Sequence, residues 1–323
     1  MGVSAREPVR RAVEIIKQAD QLNVDCAWLL DSQLLLKDPY VVMALAVEAT
    51  ERIKLGTGVT NPLTRHLTVT ANVVSTLRSL SEGRILLGIG SGDAAVLPLG
   101  ISSASLQQCE DAMATLRQLM SGNPASFGDW TVRVAVGAGA APIFLAASGP
   151  RMLQLAGRAA DGVIVMGPAE PELVADQIRV VRASAEAAGR KPSAVFVDLW
   201  VTLSARDDPR EAIQDVKPWA ASQARWLARS KNLHPRLAAF QPEIDKVAQS
   251  YNFGQHLSQR AGGPSTVSDA FAVTVAVAGD HEYCRARLRE LAALGVDRIT
   301  VSLLPGGRQQ RLADLAQRVF PND

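Results

Sequence analysis

The sequence predicts an α/β fold, a (β/α)8 TIM barrel with a helical insertion before the last strand. Short apolar segments of strand length alternate with amphipathic segments of helix length along most of the 323 residues, and eight such units form this barrel. The joint from helix to strand also recurs, as LNVD at 22–25 and LGVD at 294–297. An Asn or Gly in a left-handed helix cap followed by an apolar residue is typical of the loop that enters a buried parallel strand.

Seven strands are predicted from apolar segments that end in Gly, Pro, Asn or Asp. They cover residues 24–30, 53–55, 84–87, 142–145, 162–165, 194–203 and 298–304. The eighth would have to be residues 1–4, so we expect either that the natural chain begins a few residues upstream or that its first strand is clipped. A doubly wound open sheet is the alternative, and it would need fewer strands.

Helices are predicted between the strands from apolar residues at spacings of three and four. They cover 9–22, 40–50, 68–80, 105–120, 151–158, 171–188 and 282–294, and in 68–80 the apolar face is predicted to be Val69, Val73, Leu77 and Leu80. Residues 127–136 are expected to form a small hairpin outside the main sheet. We predict one domain, 1–323, in which 205–270 is a helical insertion broken at Pro218, Pro235 and Pro242 and shaping the substrate site or a lid.

The composition excludes several classes of protein. The net charge is +2 and aromatic residues make up 5%, which does not favour nucleic acid or a membrane surface as a partner. Cys26, Cys109 and Cys284 are far apart in the sequence, so we expect neither a disulfide framework nor a metal site. The longest apolar segment, 134–147, is interrupted by Pro142 and is too short to cross a bilayer. We therefore expect a cytoplasmic protein.

Two successive strands each lead into a glycine-rich loop, with one helix between them. The strand 53–55 is followed by GTG at 56–58, and the strand 84–87 by GIGSG at 88–92. In a βαβ unit the carboxyl ends of the two strands lie side by side. Because glycine has no Cβ, the backbone there allows a ligand to approach closely. The pattern predicts a ligand site across these two strand ends.

Five stretches of the chain resemble the luciferase-like flavin and deazaflavin oxidoreductases. They are EPVRRAVEIIKQADQLNVDCAWLLDS (7–32), ATERIKLGTGVTNPLTRH (49–66), TLRSLSEGRILLGIGSGD (76–93), PIFLAASGPRMLQLAGRAADGVI (142–164) and ALGVDRITVSL (293–303). The combination of GTGVTNP with LSEGRILLGIGSGD is specific to this family, whereas a lone glycine loop would not be. Within the family, the chain is most similar to the methylenetetrahydromethanopterin reductases, which use the deazaflavin coenzyme F420.

The resemblance implies a TIM barrel, usually a homodimer, with a deazaflavin or flavin ring at the carboxyl-terminal mouth. It implies a bulge with a non-prolyl cis peptide at Gly58-Val59 behind the ring, a loop at 90–93 beside the pyrimidine end of the ring, and a phosphate loop at 148–151. The implied cofactor-binding residues are Gly58, Val59, Thr60, Gly90, Ser91, Gly92, Asp93, Ser148, Gly149, Pro150 and Arg151.

Physical arguments agree with part of this assignment. The phosphate loop precedes a predicted helix, and a helix N-terminus is a ready anion site. Arg151 lies in the first turn of that helix, where a cation is slightly unfavourable, so an anionic partner is favoured. Asp93 fits the ligand site and an N-cap of the next segment equally well.

The chain departs from the family pattern at the end of the second strand. Many deazaflavin members have Asp-His there, whereas this chain has Asp31-Ser32. Serine does not exchange protons near pH 7 as histidine does. Asp31 and Ser32 are the candidate catalytic residues, since active sites of barrels lie at the carboxyl ends of their strands.

Three functions fit these observations. The favoured one is hydride transfer to or from a small organic substrate with coenzyme F420. The alternative is a monooxygenase of the same fold that depends on reduced FMN, in which oxygen adds to the flavin. The third is a family member that binds a ligand without catalysis, which Ser32 keeps open.

Overall fold

A computed structural model of the chain describes residues 1–4, 6–135, 137, 139–230, 233–252, 266–304 and 307–320. The chain divides into two compact units, Met1–Ile164 with Val180–Phe196, and Val165–Arg179 with Val197–Asp323. In the described part of the chain, parallel strands alternate with helices, and the fold is the (β/α)8 TIM barrel that the sequence predicts.

The first unit contains the strands and helices that carry most of the predicted site. Its strands are β1 Gly2–Val3, β2 Cys26–Leu29, β3 Lys54–Thr57, β4 Ile85–Ile89, β5 Ala125–Phe127, β6 Trp130–Val132, β7 Ile143–Ala147 and β8 Gly162–Met166. Its helices are α1 Val9–Gln21, α2 Pro39–Ala49, α3 Leu67–Leu80, α4 Leu106–Met120, α5 Pro150–Ala159 and α6 Pro171–Ala187, and both α6 and β8 include residues of the second unit. The parallel strands follow the order β1-β2-β3-β4-β7-β8.

The strand predicted at the N-terminus is present as β1. Gly2 lies opposite Trp28 and Val3 opposite Leu29 in a parallel pair with β2. The main-chain N–H of Trp28 donates to the carbonyl of Met1 at 2.8 Å. Two residues are therefore enough to form this strand, because β2 beside it supplies the hydrogen bonds.

Strands β3 and β4 run two residues farther than predicted, which places Gly56 and Gly88 inside the sheet. A Cβ on Gly56 would lie 2.3 Å from the Trp28 ring, and a Cβ on Gly88 would lie 2.1 Å from the carbonyl oxygen of Thr57. Gly162 makes the same kind of room for Phe144, whose ring would be 2.3 Å from an added Cβ. These glycines make room for neighbouring protein atoms, so the expectation that Gly56 and Gly88 lie in ligand loops is wrong.

The predicted apolar face of α3 is confirmed at Leu77 and is wrong at Val69 and Leu80. The buried residues are Thr70, Ala71, Val74, Ser75 and Leu77. By contrast, Val69 is 53% exposed and Leu80 is 49% exposed. Small side chains let the helix approach its neighbours closely, so Thr70, Ala71 and Ser75 share the buried face with Val74 and Leu77.

The carboxylate of Asp20, near the end of α1, holds the segment that leads into β3. Its oxygens accept hydrogen bonds from the main-chain N–H groups of Glu51 (2.9 Å), Arg52 (3.1 Å) and Ile53 (2.7 Å). Burial would raise the pKa of Asp20, but these donors and the charge of Arg52 lower it overall. The sequence did not indicate this junction, because its donors are main-chain atoms more than thirty residues away.

The predicted hairpin forms a separate two-stranded sheet. Strands β5 and β6 pair antiparallel, with Phe127 opposite Trp130. The hairpin begins two residues before the predicted range and its second strand ends at Val132, while residue 136 of that range lies outside the described residues.

The second unit contains the long strand β9 and the helical segment predicted at 205–270. Its elements are β9 Phe196–Ala205, α7 Pro209–Leu227, α8 Gln241–Ser250, α9 Asp269–Val275, β10 Val277–Gly279, α10 His281–Ala292, β11 Arg298–Ser302 and α11 Arg308–Asp314. Strand β9 pairs in parallel with β11 and, near its end, with the three-residue β10. Strand β10 was not predicted, because its apolar residues continue the pattern of α9. Within the described ranges, every helix is too short or too polar to span a bilayer.

The predicted break at Pro218 is wrong, because α7 continues through this residue. A proline inside a helix removes one main-chain hydrogen bond. Helix α7 also buries an apolar face that includes Val216, Ala220, Ala221 and Ala224, and this packing keeps it continuous. Pro235 and Pro242 instead lie in the first turns of a short 3-10 helix and of α8, where proline is well tolerated. Residues 231, 232 and 253–265 of the predicted insertion lie outside the described residues.

We expect Gly88→Ala to lower the free energy of unfolding by about 1–3 kcal/mol, because its Cβ would overlap a main-chain oxygen of the neighbouring segment. Urea unfolding of the two proteins measures the difference. The matched control is Gly149→Ala, since an added Cβ at Gly149 meets nothing within 4 Å and its φ of −83° suits alanine. Equal stability of the two variants would contradict the steric role of Gly88.

We expect Asp20→Asn to lower the free energy of unfolding at pH 7 by about 1–3 kcal/mol. Because the folded state lowers the pKa of Asp20, its contribution is present above the unfolded pKa and is lost as the pH falls through the folded pKa. The variant should therefore lose less stability on acidification, as measured by urea unfolding at several pH values. Asp25→Asn, at an exposed pair with Lys54, is the control. Parallel pH profiles of wild type and D20N would refute the prediction.

Candidate active site

Main-chain hydrogen bonds join the ends of β2, β3 and β4 into one edge. The N–H of Gly58 donates to the carbonyl of Leu29 at 2.7 Å, and the peptide bond between Gly58 and Val59 is cis, as the resemblance implies. The N–H of Thr60 donates to Gly88 at 3.0 Å, and the N–H of Gly90 donates to the carbonyl of Thr60 at 2.9 Å. The segment after β3 is thus fixed along the end of β4.

Val59 packs over the glycines of β4. A Cβ on Gly90 would lie 3.0 Å from Cγ2 of Val59 and 3.4 Å from Cβ of Ala146, and a Cβ on Gly88 would lie 3.0 Å from Cγ1 of Val59. The glycines at the end of β4 therefore make room first for the Val59 side chain. The sequence predicted that a ligand approaches these glycines closely, but in the structure the Val59 side chain does so.

Hydrogen bonds from Ser103 and Ala104 hold the carbonyl groups of the loop after β4. The carbonyl of Ser91 accepts from the N–H of Ala104 at 2.7 Å, and the carbonyl of Gly92, which has a φ of +84°, accepts from the hydroxyl of Ser103 at 2.6 Å. The carbonyl of Asp93 begins a turn by accepting from the next residues along the chain. The 3-10 helix that follows, Leu97–Leu99, has no side-chain cap. The N-cap position of this 3-10 helix is Val96.

The loop after β7 leads into an open helix N-terminus. Gly149 is the N-cap of α5, and no side chain caps its first N–H groups. The N-terminal N–H groups of a helix attract anions. An added Cβ at Gly149 would meet nothing within 4 Å, and Pro150 and Arg151 are exposed. The space beside Gly149, at the start of α5, is therefore open.

Asp31 is buried at the end of β2 together with two hydroxyl groups. Asp31 is 7% exposed, and burial raises the pKa of its carboxyl group, while the Thr60 hydroxyl and the charge of Arg65 oppose this shift. Burial also raises the pKa of Tyr40, to about 12. Thr60 is close enough to influence both groups, yet no two of the atoms Asp31 Oδ2, Tyr40 Oη and Thr60 Oγ1 have hydrogen-bond geometry.

Asp38 and Arg65 hold Tyr40 in place beside Asp31. The Asp38 side chain caps α2 and accepts from the N–H of Tyr40 at 2.9 Å. Arg65 forms an ion pair with Asp38, and its guanidinium lies 4.9 Å from the centre of the Tyr40 ring. Sequence reasoning missed Tyr40 and Arg65. The only local signal was Asp38-Pro39-Tyr40, a helix start that places Tyr40 in the first turn.

The structure brings Asp31, but not Ser32, into this buried cluster. Ser32 is half-buried, and its carbonyl begins a turn by accepting from the N–H groups of Leu35 and Leu36, each at 2.9 Å. Asn61, beside Thr60, forms a second turn in which its Oδ1 accepts from Leu63 and Thr64. Among the described residues, no group of three or more His, Cys, Asp and Glu side chains is placed to hold a metal ion.

The fold and this site together define a (β/α)8 barrel protein with a candidate ligand site at the carboxyl ends of its strands. The chain belongs to the family described as luciferase-like monooxygenase, whose profile matches residues 1–298. The recognition of this family from the sequence is therefore confirmed.

Individual relatives agree with the branch that the sequence resembles. The chain is 29% identical over 320 residues to a 5,10-methylenetetrahydromethanopterin reductase of Methanolobus tindarius, covering 96% of this chain and 95% of the relative. It is 29% identical over 269 residues to an F420-dependent glucose-6-phosphate dehydrogenase of Amycolatopsis mediterranei, covering 75% and 80%. The solved structure of the coenzyme F420 dependent tetrahydromethanopterin reductase of Methanopyrus kandleri superposes with a TM-score of 0.80 at 23% identity over 99% of both chains, which supports the fold.

Proposed function

We propose that this protein is an oxidoreductase that transfers hydride to or from a small organic substrate with the deazaflavin coenzyme F420. The observation that carries the proposal is the likeness, over nearly the whole chain, to a methylenetetrahydromethanopterin reductase, together with the family match. When bound, F420 supplies the ring that carries hydride, and the protein supplies geometry and charge.

In this proposal the loop after β7 holds the cofactor phosphate. The uncapped N–H groups of α5 and the exposed guanidinium of Arg151 attract a phosphate, and the free space beside Gly149 admits it. Ser148 supplies a hydroxyl at the same loop. Pro150 begins the helix, and its fixed φ keeps the loop rigid. Pro150 has no N–H, so the N–H groups that attract the phosphate come from the residues after it.

The ends of β3 and β4 face the ring in this proposal. Val59 is packed against Gly90, and Gly58 and Thr60 are held to β2 and β4 by main-chain hydrogen bonds. The loop of Ser91, Gly92 and Asp93 follows directly. Because these groups are fixed before a ligand arrives, they bind it with little loss of their own freedom.

Asp31 is the proposed proton carrier. Burial favours the neutral form of its carboxyl group, so it carries a proton at a higher pH than an exposed aspartate. In the reducing direction the Asp31 O–H bond breaks, a bond forms between the proton and a substrate heteroatom, and a carboxylate remains. Ser32 replaces the histidine of many deazaflavin relatives and takes no part in this step.

Binding titrations of the purified protein with F420 and with FMN, each oxidised and reduced, test the cofactor. We expect F420 to bind, and we expect Arg151→Ala to weaken binding by about 1–3 kcal/mol, or about 5- to 150-fold in Kd, because the guanidinium pairs with the phosphate. Gly149→Ala should also weaken binding, since its methyl group occupies the proposed phosphate space. Arg210→Ala is the matched control, because Arg210 is an exposed arginine in the first turn of another helix.

The other two functions are outcomes of the same titration. Tight binding of reduced FMN without binding of F420 would favour the monooxygenase, and substrate trials would then be run in air. Binding of F420 by a protein that never reduces or oxidises it would favour the ligand-binding member. Equal Kd values for wild type and R151A would remove Arg151 from the phosphate site.

We also propose that two copies of the chain form a homodimer through a face of α2 and α3. Val41 (55%), Leu45 (48%), Val69 (53%) and Leu80 (49%) are exposed on these two helices, which contact each other. Exposed large aliphatic side chains on two neighbouring helices favour an interface there. The same face on two copies would form a two-fold symmetric contact.

Sedimentation velocity tests the dimer. We expect a mass of about twice 34.4 kDa for wild type and a monomer for the double variant V41K/V69K, because two charges would be buried in the interface. L99K, at another exposed leucine (48%), should remain dimeric. A monomeric wild type would refute the proposal.

We propose a cytoplasmic location, with no nucleic-acid or membrane partner. All three cysteines are free and buried, as suits a reducing compartment. Burial raises the pKa of Cys109 to about 11 and that of Cys284 to about 12, so both remain protonated thiols.

We propose that residues 1–323 act as one domain, with the segment 205–270 as an insertion that sets substrate selectivity. This segment is long, and its helices α7 and α8 bury an apolar core of their own with α9. A large helical segment of this kind is a common place for substrate selectivity.

A further inference from the structure

Three buried oxygens meet at the end of β2 without forming hydrogen bonds. Asp31 is 7% exposed, Tyr40 5% and Thr60 1%. In the described part of the chain, the atoms Asp31 Oδ2, Tyr40 Oη and Thr60 Oγ1 have no hydrogen-bond partner. Buried polar groups in folded proteins are nearly always paired. Three such groups at one point, at a strand end, indicate a site whose pairing changes during function.

The charged groups around this cluster leave the Asp31 carboxyl group without a cation of its own. Tyr40, Asp38 and Arg65 are the titratable groups that influence it. Arg65 is held by its ion pair with Asp38 and by its contact with the ring of Tyr40. The positive charge of Arg65 is therefore largely balanced by Asp38, and the Thr60 hydroxyl is the side-chain donor that opposes the effect of burial on the pKa of Asp31.

The position of Thr60 is fixed on both sides by the main chain. Its N–H donates to Gly88 at 3.0 Å and its carbonyl accepts from Gly90 at 2.9 Å, in a parallel bridge with Ile89. The hydroxyl of threonine has a single proton to donate. It serves either the Asp31 carboxylate or Tyr40 Oη, so these two groups compete for it.

We propose that Thr60 and Tyr40 are positioning residues that set whether the carboxyl group of Asp31 carries a proton. The proposal rests on the proposed function, in which Asp31 gives its proton to the substrate. After the proton has left, the Thr60 hydroxyl turns to the Asp31 carboxylate and stabilises it. While Asp31 is protonated, the Thr60 hydroxyl donates to Tyr40 instead. Asp31 can thereby transfer a proton although this chain has Ser32 where many deazaflavin relatives have a histidine.

The test is an NMR titration of the full chain, labelled with 13C at the aspartate carboxyl groups and free of cofactor. The Asp31 signal is assigned as the one absent from Asp31→Asn. We expect Asp31 to titrate above the ordinary value of 3.8, because burial raises its pKa. Thr60→Val should shift the Asp31 titration to higher pH, because the carboxylate loses its donor. Tyr40→Phe should shift it to lower pH, because the Thr60 hydroxyl then serves Asp31 alone.

Control variants separate this role from a general loss of structure. Thr60→Ser keeps a hydroxyl group and should leave the Asp31 titration close to that of wild type. Thr70→Val, at a buried threonine of α3, and Tyr283→Phe, at a half-exposed tyrosine, should have no effect on it. Thermal unfolding of each variant checks that the chain is folded.

Shifts of opposite sign in T60V and Y40F support the inference. An Asp31 titration that stays at its wild-type position in both variants, or moves in the same direction in both, overturns it. The F420 titration of the same proteins tests the proposed function separately. Opposite shifts in a protein that does not bind F420 would support the role of Thr60 and Tyr40 and refute the cofactor.

Discussion

The candidate site depends on the pairing of the segment after β3 with the end of β4. Thr60 is bonded through its N–H to Gly88 of β4 and through its carbonyl to Gly90, just after β4, although it lies beyond the end of β3. This pairing fixes Val59 over the glycines of β4 and brings the Thr60 hydroxyl to Asp31. A mobile loop would not keep the Thr60 hydroxyl beside the buried Asp31 carboxyl group. The position of these two groups therefore depends on main-chain hydrogen bonds.

Burial and hydrogen-bond donors act in opposite directions on two aspartates of the first unit, Asp20 before β3 and Asp31 after β2. Asp20 and Asp31 are both buried acids, but Asp20 has three main-chain donors and its pKa is lowered, whereas Asp31 lacks such donors and its pKa is raised. The same residue type thus provides a structural clamp at one position and a proton carrier at the other. The difference lies in the donors that the fold presents, not in the side chain.

The sequence predicted those features that depend on local pattern. The alternation of strands and helices and the short first strand follow from the periodicity of apolar residues and the glycines between them. The choice of Asp31 as a candidate catalytic residue follows from its position at a strand end and from the family resemblance. The buried face of α3, the contact of Gly56 with Trp28, and the roles of Tyr40 and Arg65 were not predictable, because each depends on residues that are distant in sequence and adjacent in space. Helix α3 shows this clearly, since its buried face combines the small residues Thr70 and Ser75 with Val74 and Leu77, while Val69 and Leu80 are exposed.

The contacts between glycines and aromatic rings in the first unit couple the choice of residue at paired positions. Trp28 occupies the space that a side chain at Gly56 would need, and Phe144 does the same at Gly162, while the two rings meet edge to face at 5.4 Å. A larger residue at either glycine is acceptable only if its aromatic partner becomes smaller at the same time. Divergent relatives should therefore exchange bulk between neighbouring strands in matched pairs, keeping the filled volume constant while the sequence drifts.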